Sequence, residues 1–190
     1  MKVVAIVGSL RPGGNTEYAL RRVLGRVEAG GLETELVTLH DKTILPCRGC
    51  GGCRSKGACV QEDDLGPILE KMKEADGIIV GSPVYFSSAS PALMSLLDRA
   101  GYVLRSSGST FAGKVGAPVV VGRRAGHNFT FAQLLLWYFI NEFVIPGSTY
   151  WNVVFGGAAG ARDAEKDEEG LRTLDRFADN LVTVLRKLRS

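Results

Sequence analysis

The stretch "VVAIVGSLRPGGNT", residues 3–16, decides the fold that we predict for this chain. Its first five residues form a continuous apolar run, as expected of a strand buried on both faces of a parallel sheet. A glycine-containing turn, "GSLRPGGNT" (8–16), follows, and a helical pattern begins near Thr16. Strand-like and helix-like patterns continue to alternate along the chain, which indicates an α/β protein with helices on both faces of a parallel sheet.

Four more strands are predicted, at 33–39, 77–81, 117–122 and 150–155. The second and third of these are almost wholly apolar and suit the middle of the sheet, whereas the other two are mixed and suit its edges. This pattern predicts a doubly wound, five-stranded parallel sheet of order 2-1-3-4-5, with a ligand crevice between strands 1 and 3. We interpret the apolar stripe from Leu171 to Leu188 in the last helix as core. At 190 residues, the chain is expected to be a single domain, 1–190.

Composition and charge exclude several classes of partner. The 23 basic and 20 acidic residues are mixed along the chain, so no long basic face predicts binding to nucleic acid or anionic lipid. No segment approaches the ~20 apolar residues of a membrane span, and the apolar run at the N-terminus is too short for a signal sequence. We therefore expect a cytoplasmic protein, in which clustered cysteines serve as metal ligands or redox groups rather than disulfides.

The loop at 8–16 has the residue types of a phosphate site. It lacks the G-x-G-x-x-G fingerprint of dinucleotide sites and the Gly-Lys-Ser/Thr of P-loops. Ser9 and Thr16 offer hydroxyls, Gly13 and Gly14 allow backbone amides to approach a ligand, and Arg11 offers a fork of donors. The helix that follows directs free N–H groups at the loop, so we interpret it as a phosphate site. The alternative is a capped helix after a polar turn, with Arg11 in solvent.

The loop after strand 3, "GSPVYFSSASP" (81–91), suits a planar aromatic cofactor. Pro83 stiffens the loop, Tyr85 and Phe86 supply flat surfaces, and the serines offer small polar contacts. The alternative is that both aromatic rings pack beneath the loop.

The loop after strand 4, "GRRAGHN" (122–128), suits the same ligand from another side. Its glycines allow close approach of a ring, and Arg123, Arg124 or His127 could face the negative charge that builds on a reduced flavin. For each of these three residues the alternative is an ordinary solvated side chain.

All four cysteines lie in the loop after strand 2, which we place at 46–62, with the spacing C-x2-C-x2-C-x5-C: Cys47, Cys50, Cys53 and Cys59. The compact run is similar to the cysteine runs of bacterial ferredoxins, and a complete [4Fe-4S] cluster within one subunit would need all four. The neighbouring glycines permit the sharp turns that this requires. Zinc and free thiols are the alternatives, although zinc sites usually have two separated cysteine pairs. Because loops that follow strands lie at the carboxyl edge, the cluster is expected beside the phosphate loop.

The motifs "GSLRPGGNT", "GSPVYFSSASPALMSLLDR", "VGRRAGHNFT" and "DEEG", in this order, resemble the flavodoxin-like NADPH-dependent FMN reductase family, and the cysteine run resembles its iron-sulfur flavoprotein branch. The resemblance covers nearly the whole chain. It implies noncovalent FMN, dimers or tetramers, and flavin sites near subunit boundaries. The residues that the resemblance implies for FMN binding lie in the phosphate loop, in the loop after strand 3 and in the loop after strand 4: Ser9, Arg11, Gly14, Asn15 and Thr16; Pro83, Val84, Tyr85, Phe86 and Ser87; Gly122, Arg123 and Gly126.

Three functions stay open at this point. In the first, a flavoprotein transfers electrons between a two-electron donor and a one-electron carrier such as ferredoxin through a [4Fe-4S] cluster. In the second, a clusterless NAD(P)H-dependent reductase acts on FMN, quinones or similar small acceptors. In the third, the chain is a zinc-stabilised flavin-binding module. No residue stands out as an acid–base catalyst, because the chemistry would belong largely to the cofactor.

Overall fold

The computed structural model describes residues 1–108, 111–157 and 162–189. Five parallel strands form one sheet, and their order, β2-β1-β3-β4-β5, is the order predicted from the sequence. The strands are β1 (Lys2–Val7), β2 (Glu33–Thr38), β3 (Gly77–Pro83), β4 (Pro118–Gly122) and β5 (Val153–Phe155). The last strand is shorter than predicted, because Tyr150 and Trp151 lie outside the sheet and pack against each other at the surface, with ring centroids 4.7 Å apart and ring planes tilted by 55°.

Helices cover both faces of the sheet and enclose two apolar cores. One core packs between the sheet and α1 (Asn15–Ala29) and α6 (Glu168–Arg189). The other packs beneath α3 (Leu65–Glu74), α4 (Pro91–Ser106) and α5 (His127–Ile140). The predicted stripe of α6 is buried from Leu171 to Leu185, but Leu188 in the last turn is half-exposed. Among the described residues, no helix is both long and apolar enough to cross a membrane.

The loops after β1 and β3 are joined directly at the carboxyl edge. The Gly8 N–H donates to the Gly81 carbonyl at 2.7 Å, and the Ser90 hydroxyl donates to the Gly8 carbonyl at 2.6 Å. A Cβ at Gly8 would lie 2.8 Å from the Gly81 oxygen, so the approach requires glycine. Ser90 also caps α4 by accepting the Leu93 N–H at 3.3 Å. The start of α4 therefore marks the carboxyl edge.

Candidate functional site

The loop before α1 has buried hydroxyls and an exposed cation. Ser9 and Thr16 are buried, whereas the Arg11 side chain is exposed. The Ser9 Oγ accepts the Arg11 N–H at 3.2 Å, and Gly13 has a φ of 63°, which favours glycine. The loop is thus a tight turn that keeps its one charged side chain in solvent.

The start of α1 has unpaired helical amides. The first helical hydrogen bond is donated by Tyr18 N–H to the Gly14 carbonyl, so the N–H groups of Asn15, Thr16 and Glu17 have no intrahelical acceptor. Gly14 is the N-cap residue of α1 and has no side chain that could accept a hydrogen bond from these amides. The combination of free amides and the helix dipole favours an anion here.

One anion already lies at this helix start. The Glu17 carboxylate accepts the Gly13 N–H at 2.8 Å and the Arg21 guanidinium at 2.8 Å. Burial alone would raise the pKa of Glu17, but these two hydrogen bonds outweigh it and hold the pKa below its usual value. The Glu17 carboxylate is therefore a negative charge in the first turn of α1, held against the Gly13 N–H.

The Asn15 side chain has partners of its own. Its Nδ2 donates to the Asp163 carboxylate at 2.9 Å, and its Oδ1 accepts the Ala164 N–H at 3.2 Å. Asp163 and Ala164 belong to a short 3-10 turn, Asp163–Lys166, before α6. The side chain that the sequence placed in the phosphate site thus joins that turn to the start of α1.

The loop after β3 contains a strained turn, residues 85–88, that exposes two aromatic rings. Tyr85 and Ser88 exchange both backbone hydrogen bonds, at 2.8 and 3.0 Å, and the two residues between them have φ values of 49° and 64°. Positive φ at two consecutive non-glycine residues costs energy and is found mostly where function requires it. Tyr85 is 45% exposed and Phe86 fully exposed. The rings therefore lie at the surface, contrary to the alternative that they pack beneath the loop.

The loop after β4 lies directly against this turn. A Cβ at Gly126, which has a φ of 87°, would lie 2.9 Å from both Ser87 Oγ and Val84 Cγ1. A Cβ at Gly122 would lie 2.8 Å from Val84 Cγ2. Four residues of the predicted ring site are thus brought together: Val84, Ser87, Gly122 and Gly126. The Arg123 side chain, in contrast, is exposed.

His127 is the buried member of the three polar residues considered in that loop. It is 6% exposed, its ring centroid lies 4.7 Å from that of Phe155, and its Nε2 has no hydrogen-bond partner among the described residues. The same Nε2 would lie 2.8 Å from a Cβ at Gly122. An unpaired buried nitrogen therefore lies behind the predicted flavin loop.

All four cysteines line one cavity of about 200 Å³. The chain turns tightly around it, with φ values of 64°, 71° and 65° at Gly49, Gly51 and Gly57, in agreement with the prediction that glycines permit sharp turns in this loop. A short helix, α2 (Cys53–Lys56), lies within the loop. All four side chains are free thiols; Cys47 and Cys50 are exposed, and Cys53 and Cys59 are half-buried.

The cavity lies farther from the carboxyl edge than the sequence predicted. Its other wall is the second half of α4, including Arg99, Tyr102, Val103 and Ser106. Because α4 begins at Pro91 and a helix rises 1.5 Å per residue, the Cα atoms of these residues lie about 12 to 23 Å along the helix from its start at the carboxyl edge. The loop leaves the carboxyl edge after β2 and folds back over α4, because Cys53 and Cys59 pack against the core on that face.

A buried ion pair ties the cysteine loop to α4. Arg99 and Asp63 side chains are each 1% exposed, and they form two hydrogen bonds, Nη1 to Oδ2 at 2.5 Å and Nη2 to Oδ1 at 3.0 Å. Asp63 also accepts the N–H groups of Leu45 and Leu65, and Arg99 donates to the Leu45 carbonyl. The pair thus holds both ends of the cysteine loop.

Arg99 also contacts a cysteine. Its Nη2 lies 3.2 Å from Cys59 Sγ. Burial alone would raise the pKa of the Cys59 thiol, but hydrogen bonds from Gln61 and Arg99 lower it below the usual value. Neither Arg99 nor Asp63 was singled out in the sequence, although the Asp–Arg dipeptide that contains Arg99 closes one of the motifs that carried the family resemblance.

Comparisons with known proteins agree with this arrangement. The family model described as NADPH-dependent FMN reductase matches residues 1–158. This chain belongs to the NADPH-dependent FMN reductase family. It is 37% identical over the full length of both chains to "Iron-sulfur flavoprotein MJ1083" of Methanocaldococcus jannaschii. It is 36% identical to the "Iron-sulfur flavoprotein" of Methanosarcina thermophila, over 97% of this chain and 95% of that protein.

The fold agrees with a solved archaeal flavodoxin, with a TM-score of 0.62 at 14% identity over both whole chains. The sheet is therefore flavodoxin-like, and the family makes the protein a flavin-dependent oxidoreductase. The residues at the carboxyl edge suit the FMN of this family: free helical amides suit its phosphate, and two surface aromatics beside a glycine loop suit its ring.

The cysteine cavity also fits the group that the relatives' names imply. The described residues contain no group of three or more His, Cys, Asp or Glu side chains arranged to hold a metal ion. A single zinc ion needs its sulfur ligands to converge within about 2.3 Å of one point. Four cysteines that line one cavity of about 200 Å³, with a guanidinium donating to one of them, are the set of thiolate donors that an iron-sulfur cluster uses.

Proposed function

We propose that this flavoprotein transfers electrons between a two-electron donor and a one-electron carrier through a [4Fe-4S] cluster. The observation that supports this most is that four thiols from one short loop line a single cavity whose wall presents a buried guanidinium. FMN, when bound, supplies the conversion between two-electron and one-electron chemistry. The names of the full-length relatives point the same way.

The FMN phosphate is assigned to the loop before α1 and the isoalloxazine to the two loops that meet at Val84 and Gly126. The free amides of Asn15 and Thr16, the Thr16 hydroxyl and the Arg11 guanidinium would hold the phosphate. The remaining predicted residues of this site keep their assignments: Ser9 and Gly14 at the phosphate; Pro83, Tyr85, Phe86, Ser87, Gly122 and Arg123 at the ring.

Arg11→Ala and Thr16→Val are each expected to weaken FMN binding by roughly ten- to a hundredfold, because each removes a hydrogen bond worth about 1.5 to 3 kcal/mol to a charged group. Thr16→Val keeps the shape of a buried side chain and removes only its hydroxyl. The measurement is a fluorescence titration of apoprotein with FMN. Arg54→Ala, which removes an exposed cation from the cysteine loop, is the control and should bind FMN as the parent does. Parent-like affinity in both test variants would contradict the phosphate assignment.

Four cysteines would hold the cluster: Cys47, Cys50, Cys53 and Cys59. Thiolates are the ligands that iron-sulfur clusters use, and the turns at Gly49, Gly51 and Gly57 let one short segment surround a small volume. The exposure of Cys47 and Cys50 implies a cluster that is labile in air.

A clusterless NAD(P)H-dependent reductase of FMN or quinones is the second candidate, favoured by the description of the matching family. The exposed Tyr85 and Phe86 are accessible to a small planar donor or acceptor in either case. A zinc-stabilised flavin-binding module is the third.

A homodimer or homotetramer is supported by the surface of α5. Phe129, Leu136, Phe139 and Ile140 are 58 to 75% exposed along this helix. An apolar strip of this kind on a helix usually marks an interface. The strip lies close to the turn at 85–88, because Gln133 of α5 accepts hydrogen bonds from Ser88 Oγ and from the Ala89 N–H.

A ferredoxin-like carrier is supported by the charge around the cysteine cavity. Arg48 and Arg54 line the cavity, and Lys56 and Arg105 are exposed nearby. Basic side chains around a redox site steer and orient an acidic partner. The four free thiols are consistent with the reducing cytoplasm.

The deciding experiment is elemental analysis with the visible spectrum of protein purified and reconstituted anaerobically. The proposed function requires FMN together with four iron and four sulfide per chain. Flavin without iron would instead support the clusterless reductase, and stoichiometric zinc would support the module.

A further inference from the structure

We propose that Arg99 is the positioning residue of the cysteine cavity: its guanidinium holds Cys59 by a charge-assisted hydrogen bond and raises the reduction potential of the cluster that Cys59 ligates. This inference rests on the proposed function, because it concerns a cluster bound by the four cysteines.

The guanidinium is fixed in direction before any ligand arrives. Its two terminal nitrogens are held by Asp63, and Nη1 also donates to the Leu45 carbonyl at 2.9 Å. The remaining N–H of Nη2 meets Cys59 Sγ at 3.2 Å. A planar fork of this kind can orient toward a carboxylate and a sulfur at once, whereas the point charge of a lysine cannot.

The cost of this arrangement indicates a role beyond tethering the loop. Burying a charged pair costs desolvation free energy. A pair of apolar residues in its place often stabilises a fold equally well or better. Arg99 Nε, moreover, is buried with no hydrogen-bond partner among the described residues. Burial does, however, place a positive charge in direct contact with a ligand sulfur, where water would otherwise screen it.

A donor and a positive charge at a ligand sulfur act on the redox equilibrium. Reduction adds negative charge to a cluster, and N–H···S hydrogen bonds to its ligands stabilise that charge. Without Arg99, the reduced form loses more stabilisation than the oxidised form. The potential should therefore become more negative.

The test variant removes both buried charges, so that neither is left unpaired. Asp63→Asn/Arg99→Met keeps side chains of similar length, and the Asn oxygen can still accept the Leu45 N–H. Arg99→Lys is the second variant, which keeps the positive charge but lacks the fork. The control is Arg22→Met/Asp175→Asn, which removes another two-bond ion pair, with N···O distances of 2.8 and 2.7 Å, between α1 and α6.

Midpoint potentials of the cluster and of the flavin are measured on reconstituted protein by redox titration, with EPR for the cluster and visible absorbance for the flavin. In the double variant at Asp63 and Arg99 we expect a more negative cluster potential and an unchanged flavin potential. The control at Arg22 and Asp175 should change neither.

A cluster that keeps its potential in that double variant overturns the inference and leaves Arg99 as a purely structural residue. If the double variant takes up no cluster, Arg99→Lys decides: a more negative potential supports the inference, and the parent potential overturns it. A parent protein that takes up no iron or sulfide overturns the proposed function, and this inference with it.

Discussion

Replacing Asp63 with alanine is expected to lower the free energy of unfolding by about 3 to 5 kcal/mol, because it leaves the Arg99 guanidinium buried without its counter-ion. The substitution also removes the acceptor of the Leu45 and Leu65 N–H groups, at both ends of the cysteine loop. Urea denaturation, followed by circular dichroism on FMN-saturated protein, measures the change.

Asp179→Ala is the matched control. Asp179 pairs with Arg26 through two hydrogen bonds, at 2.6 and 2.8 Å, but their side chains are 41% and 47% exposed. An exposed pair contributes only about 0 to 1 kcal/mol, so this variant should unfold nearly as the parent does. Equal losses of unfolding free energy in the two variants would contradict the expectation that burial makes the Asp63–Arg99 pair the more important one.

The loss of unfolding free energy in Asp63→Ala should depend on pH. Burial alone would raise the pKa of Asp63, but the Arg99 guanidinium and the Leu45 and Leu65 N–H groups hold it below its usual value. The pKa of Asp63 is lower in the folded than in the unfolded state, where it is about 3.9. The contribution of the ionised Asp63 to stability is therefore present above about pH 3.9 and is lost as the pH falls from there through the folded-state pKa. The two proteins should thus differ least in strong acid.

Replacing any one of the four cysteines with alanine is expected to remove most of the iron and sulfide from anaerobically reconstituted protein while FMN stays bound. Four thiolates are needed for a complete cluster, and the described chain offers no fifth thiol as a substitute. FMN should be retained because the phosphate loop belongs to β1 and α1, whereas the cysteine cavity lies against the second half of α4. Iron, sulfide and flavin are each measured per chain.

Ser55→Ala is the control within the same loop, since it removes an exposed hydroxyl that donates only to the Gly52 carbonyl. It should keep the parent's iron and sulfide. One-electron transfer to a carrier should fall in the cysteine variants more than flavin reduction does. Full iron and sulfide in all four cysteine variants would contradict the ligand assignment.

Much of the carboxyl edge to which we assign FMN could be predicted from the sequence, because its arrangement depends on short-range order. Each buried strand is an apolar run, and the residues that follow it must lie at the carboxyl edge of a parallel sheet. Val84, Ser87, Gly122 and Gly126 are thereby brought together without any knowledge of the loops' detailed paths. The strained turn at Phe86 and Ser87 could not be predicted, because neither Phe nor Ser is a residue type that favours positive φ.

The sequence by itself determined the strand order, the position at the carboxyl edge of the loops to which we assign FMN, and the grouping of four cysteines in one short segment, because these follow from hydrophobic pattern and from spacing. Only the tertiary structure decided where the cysteine cavity lies and what surrounds it. The path of the loop between β2 and α3 depends on contacts between residues far apart in the chain, such as Arg99 with Asp63 and Cys59. No local periodicity encodes these contacts. The hydrogen bonds of Arg99 with Asp63 and Cys59 hold the cysteine loop against α4, away from the carboxyl edge at which the loop begins.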